Sequence, residues 1–80
     1  MTLSRRCEKL LSKARANPGG LRFAEAGRLA ACLGLELRRV RGSHHAYAAG
    51  VRFVSLQPRR DGKAQTYQVR QLLEIADEIE

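Results

Sequence analysis

The sequence predicts an α+β fold: three antiparallel strands with helices packed on one face, in the order α-α-β-β-β-α. Three observations predict it. Leucine and alanine recur at helical spacing over residues 3–16, 23–33 and 66–78. Residues 34–57 between them carry short alternating runs, parted by Gly42-Ser43 and Gly50. With 80 residues, the chain has room for one compact unit and a small core.

In the first helix, Leu3, Cys7, Leu10, Leu11 and Ala14 share one face. Arg5, Arg6, Lys9 and Lys13 lie off that face, as a solvated basic side. Asn17-Pro18-Gly19-Gly20 stops the helix. The second helix carries Phe23, Ala26, Leu29, Ala30 and Leu33 as its stripe, and Gly34 suits the position just past its end. From Gly34 to Arg41 the chain reads as a strand; the Arg38-Arg39 doublet breaks the alternation, which a bulge would accommodate. After the Gly42-Ser43 turn, His45, Tyr47 and Ala49 alternate with His44, Ala46 and Ala48 as a second strand. Val51 to Gln57 is the third, with Val51 and Phe53 on one face and Val54 and Leu56 on the other; Pro58 ends it. Phe53 is expected in the core, while Tyr47 is left open between core and surface. A polar, cationic loop, Arg59-Arg60-Asp61-Gly62-Lys63, leads to the last helix, whose stripe is Val69, Leu72, Leu73, Ala76 and Ile79. Acids crowd its C-terminal end, against the helix dipole, and serve either solubility or contact with the protein's own basic face.

The net charge is +7, and its distribution is uneven. All 15 Lys and Arg precede residue 74, with only Glu8, Glu25, Glu36 and Asp61 among them; Glu74, Asp77, Glu78 and Glu80 fill the tail. A field of that sign attracts polyanions. Twelve of the cations are Arg, whose planar fork suits phosphate oxygens and base edges. An Ala- and Arg-rich composition also arises from a GC-rich coding sequence, so charge marks a footprint rather than a function. Cys7 and Cys32 are the two cysteines; with no C-x-x-C pair and no ligand spacing, they read as buried reduced thiols rather than a disulfide or metal site. The start lacks the apolar region of a secretory signal and no run reaches membrane-spanning length, so a cytoplasmic protein is expected.

The candidates for chemistry are few. The two His residues are adjacent, and neighbours on a strand point to opposite faces, so His44 and His45 do not both enter one site. An imidazole beside a cationic surface can take a proton from an RNA 2′-hydroxyl or give one to the leaving 5′-oxygen, without a metal. The alternative is a surface His that only touches phosphate or packs on Tyr47. Gly42-Ser43 offers either a phosphate cradle of backbone N–H groups or an ordinary hairpin turn. Ser43 as a covalent nucleophile is disfavoured, because nothing supplies an orienting acid. Tyr47 is a candidate for stacking on a base. Arg38, Arg39 and Arg41, with Arg59, Arg60 and Lys63, are the candidate phosphate contacts, both groups lying toward the sheet end nearest the His turn.

The run Leu33-Gly34-Leu35-Glu36-Leu37-Arg38-Arg39-Val40-Arg41-Gly42-Ser43-His44-His45-Ala46-Tyr47 resembles the HicA toxins of bacterial toxin–antitoxin pairs, which carry a helix, a strand and then G-S-H-H. Gly62-Lys63-Ala64-Gln65-Thr66-Tyr67, leading into a final helix, is similar to the same family. The resemblance covers residues 21–80, leaving residues 1–20 as an N-terminal helical extension and linker on what is still a single compact unit. It implies a double-stranded-RNA-binding-domain-like fold, cleavage of mRNA without a cofactor, and neutralisation by a HicB-like antitoxin. It also implies that a His of the motif is catalytic: His44 first, with His45 as the fallback. Members often place a His-Pro or similar polar turn after the second strand; Ala48-Ala49-Gly50 stands there in this chain and leaves the second proton-transfer group unassigned. Two other readings remain: an RNA-binding module of the same fold without catalysis, and a basic face that only docks an acidic protein.

Overall fold

The computed structural model describes residues 3–79. Helix α1 spans Arg5–Ala16, α2 Phe23–Cys32 and α3 Thr66–Ile79; strands β1 Glu36–Arg41, β2 His44–Ala49 and β3 Arg52–Leu56 lie between α2 and α3. The strands form one antiparallel sheet in the order β1-β2-β3. The α+β fold and its element order are therefore as the periodicity predicts.

Local chemistry sets the boundaries. Ser4 caps α1 by accepting the Cys7 N–H at 3.2 Å. At its other end Asn17 donates to the Lys13 carbonyl, and Pro18 opens a single 3-10 turn over Pro18–Gly20. Glu25 reaches back to accept the Arg22 N–H at 2.9 Å at the start of α2. Both hairpins are two-residue turns led by a glycine at φ 59°, Gly42 and Gly50, a conformation that a type II′ turn requires at its first central position.

The core is one cluster in which Leu21, Leu29, Leu56, Leu72, Val54 and Val69 are the largest fully buried side chains. Leu11 and Ala14 of α1 belong to the same cluster, so the N-terminal helix shares the core rather than hanging beside it. In α3 the buried residues are Gln68, Val69, Leu72, Ile75 and Ala76, one step rotated from the predicted stripe: Leu73 and Ile79 sit at its margin. Gln68 is buried but satisfied, accepting the Gln57 N–H at 2.8 Å and donating to the Tyr67 hydroxyl at 3.1 Å. The acids of α3 touch the protein's own cations: Arg15 pairs with Asp77 at 2.9 Å and Arg52 with Glu78 at 3.3 Å.

Register fixes which side chains share a face. Leu37 pairs with Tyr47 but Arg39 with Ala46, so Arg38 is the extra residue of a bulge. One face carries Leu37, Val40, His45, Tyr47, Ala49, Val54 and Leu56; Tyr47, Ala49, Val54 and Leu56 pack with the helices, while Leu37 and Val40 of the edge strand β1 remain about half exposed. The other carries Glu36, Arg39, Arg41, His44, Ala46, Ala48, Phe53 and Ser55.

Two expectations are corrected. Phe53 is not in the core: it pairs with Ala48 on the uncovered face and is 62% exposed, while Tyr47 is the half-buried aromatic packed against the core. Phe53 and Val54 do lie on opposite faces of β3, as alternation predicts, but both faces are apolar in sequence, and only the packing of the sheet on the helices decides which one is covered. The cysteines are neither reduced nor fully buried. Cys7 and Cys32 form a disulfide with Cα atoms 5.7 Å apart, because α1 and α2 pack side by side and bring together positions 25 residues apart in the chain. No helix among the described residues is long and apolar enough to cross a membrane.

Candidate functional site

The Gly42-Ser43 turn, the end of β3 and the loop after it meet at one end of the sheet, because antiparallel pairing sets His45 opposite Leu56. The start of α2 joins them there: Arg22 bridges to Lys63, and the Phe23 N–H donates to the Gly62 carbonyl at 3.1 Å. The sequence candidates of the turn and of the 59–63 loop are thus brought to the same end of the molecule.

The two imidazoles sit differently, as strand alternation requires. His45 is half-buried on the helix-facing side. Its ring meets the Phe23 ring edge-to-face, with centroids 4.8 Å apart and planes at 70°. Its Nδ1 lies 3.2 Å from the Ser43 carbonyl, so the tautomer protonated there donates to that oxygen and leaves Nε2 as a lone-pair base. His44 is exposed on the uncovered face, paired across the ladder with Arg41.

The cations divide in the same way. Arg39, Arg41 and Arg60 are exposed and have no ion pair among the described residues. Arg38 pairs with Glu36 at 3.1 Å, which neutralises the one acid of β1. Arg59 is a tie within the fold rather than a free phosphate contact. Its guanidinium donates to the Gly19 carbonyl, to the Thr66 hydroxyl and to both Asp61 oxygens, and so pins the loop to the turn after α1 and the start of α3. Arg59 beside it, and then the Lys63 N–H, hold the Asp61 carboxyl below the usual aspartate range. Lys63 is half-buried, and its backbone lies in the bridge to Arg22.

Tyr47 stands away from His44. It lies on the helix-facing side against α2, so close that a Cβ on Gly27 would fall 2.8 Å from the Tyr47 hydroxyl oxygen. Its ring is therefore not offered to a base on the uncovered face. The residues that sequence reasoning missed are Phe23, whose ring holds His45, and Arg22 beside it, which bridges to Lys63. Nothing local in the chain links positions 23 and 45; the contact exists because α2 starts at the hairpin end of the sheet and runs along β2, with Phe23 at His45 and Gly27 at Tyr47.

A groove between α1 and α2, lined by Arg6, Lys9, Lys13, Arg28 and the disulfide, contains none of the candidate residues. Among the described residues, no group of three or more His, Cys, Asp or Glu stands where it would hold a metal ion. No family model, curated protein or solved structure matches this chain.

Proposed function

We propose that this protein is an endoribonuclease that cuts mRNA without a metal, on a double-stranded-RNA-binding-domain-like fold. In this reading it is the toxin of a cytoplasmic toxin–antitoxin pair, held inactive by a HicB-like protein. The G-S-H-H run and its sequence context suggest the family. One structural observation supports the chemistry above others: His45 is an imidazole oriented by a backbone carbonyl and an aromatic edge, at the sheet end to which the cationic 59–63 loop is also brought.

General base catalysis needs an oriented acceptor within reach of the proton it takes. The resemblance points to His44 first. Geometry favours His45, because its ring is held and His44 has no side-chain hydrogen bond among the described residues. Nε2 of His45 would take the proton of a 2′-hydroxyl as that oxygen attacks the adjacent phosphorus. The P–O5′ bond breaks, giving a 2′,3′-cyclic phosphate and a 5′-hydroxyl once the leaving oxygen gains a proton. Arg41, Arg60, Arg22 and Lys63 would hold the phosphate and stabilise the charge that develops on it. A second reading, an RNA-binding module without catalysis, has its own support: the Phe23 ring and the Ser43 carbonyl, the groups touching His45, supply no second proton-transfer partner.

The test is incubation of the purified protein with an end-labelled single-stranded transcript in excess chelator. Cleavage to cyclic-phosphate ends is expected, with His45→Ala slower by roughly 10²–10⁴-fold and His44→Ala affected less. Loss in His44→Ala with full activity in His45→Ala returns the role to His44. Binding without any cut product overturns the enzymatic reading in favour of the module.

A further inference from the structure

The uncovered sheet face lends only Arg41, at its hairpin end, to the chemistry just described, and its composition is unusual for a solvated surface. Register arranges it in three rows across the strands. Arg41 stands beside His44, Arg39 beside Ala46 and Ser55, and Glu36 beside Ala48 and Phe53. Successive rows lie about 7 Å apart, two residue steps along a strand. The middle of the face is small, with Ala46, Ala48 and Ser55 forming a floor between two exposed rings, Phe53 and His44. The β1 margin is cationic: Arg39 and Arg41 have no ion pair among the described residues, and Glu36 is neutralised by Arg38. Beyond the other margin, Phe53 rims a groove with Glu74 and Glu78 of α3, the latter paired with Arg52 at 3.3 Å. The β1 margin, with two exposed arginines and its one acid paired, is the side that draws a phosphate chain.

We infer that this face binds single-stranded nucleic acid, with bases stacked on Phe53 and His44 over the small-residue floor and the phosphates drawn to Arg39 and Arg41. The inference rests on the RNA-acting reading for the polymer's identity as RNA, but not on catalysis. A flat face that works by stacking needs bases whose π-faces are free, and a duplex hides them. Aromatic rings on an open antiparallel sheet beside arginines meet that need and tolerate many sequences. A ring 62% exposed gives the fold less stability than a core side chain, so its substitution reads out binding more than folding.

The experiment uses a fluorescein-labelled 12-nucleotide 2′-O-methyl RNA, which has no 2′-hydroxyl nucleophile and so cannot be cut by the proposed step. It is presented alone or annealed to its complement. The expected result is at least tenfold tighter binding of the single strand. Phe53→Ala should weaken it roughly tenfold, as loss of one base–aromatic stack does, and Phe53→Tyr should restore it. Arg39→Ala combined with Arg41→Ala should weaken binding and flatten its salt dependence by about two charges' worth. Equal binding of duplex and single strand overturns the inference, as does a folded Phe53→Ala that binds like the parent. So does a concentration-dependent dimer that Phe53→Ala dissociates, since the face would then be an interface between copies. Failure of cleavage with Phe53-dependent strand binding intact would sink the enzymatic reading alone.

Discussion

The two faces of the sheet are written by alternate residues of the same strands, yet they obey different rules. On the helix side, Val54 and Leu56 are sealed under α2 and α3, and even the polar-tipped His45 and Tyr47 are held in fixed contacts. On the other side, Phe53 and His44 stand exposed beside alanines and a serine, with Arg39 and Arg41, which have no ion pair among the described residues, at the β1 margin. Under the helices the first face is close-packed, and only Leu37 and Val40 of the edge strand escape that cover. The other face carries an aromatic ring that is 62% exposed. A large exposed ring one strand step from a sealed core marks the contrast between the two faces.

Substitutions sharpen that contrast, beginning with the largest effect. Leu56→Ala, at a fully buried site, should cost about 3.5 kcal/mol by leaving a cavity, whereas Phe53→Ala three residues away should stay within about 0.5 kcal/mol. Urea unfolding monitored by circular dichroism measures both, and comparable losses would break the distinction between the faces. Reducing the Cys7–Cys32 bond, which belongs to the helix layer, should cost about 3 kcal/mol for a closed loop of this size, read as a lower denaturation midpoint with dithiothreitol. Gly27→Ala should cost about 1.5 kcal/mol, because its new methyl meets the Tyr47 hydroxyl. Tyr47→Phe should recover most of that loss in the double variant; additivity of the two would show that the approach of β2 to α2 is looser than the contact implies.

The smallest effect is electrostatic. The Lys13 ammonium, bonded at 2.6 Å, and then the Arg22 N–H hold the Glu25 carboxyl below the usual glutamate range. Its folded-state value is depressed, so the stabilisation is present above the unfolded value and is lost as the pH falls through the carboxylate range. Because Lys13 is half exposed, about 0.5 kcal/mol is at stake. Glu25→Gln should lower stability near neutrality by that much and remove the matching part of the acid slope; an unchanged slope would assign it to other carboxylates.

Much of the fold was legible because its signals are local. Helical stripes, the Arg38-Arg39 break that became a bulge, the two glycine-led turns and the split of His44 from His45 all follow from periods of 3.6 and 2.0. What was not legible depends on how elements meet. The choice between the two apolar faces of β3 misplaced Phe53. The disulfide needs α1 laid along α2, which no spacing announces. Arg59 looked like one more cation of a basic loop until Asp61, Gly19 and Thr66 closed around it. The hold on His45 needs Phe23, brought in because α2 starts over that end of β2.

The Cys7–Cys32 bond has one more consequence, for how the chain breaks. The covalent ring that it closes contains most of α1, the 3-10 turn and all of α2, but no residue of the sheet. A single protease cut anywhere inside that ring leaves both fragments joined, so the nicked chain should run at full mass on a non-reducing gel and split only on reduction. A cut after Cys32 frees its fragment at once. Limited digestion read with and without reductant would therefore map which half of the molecule opens first, using the bond itself as the marker.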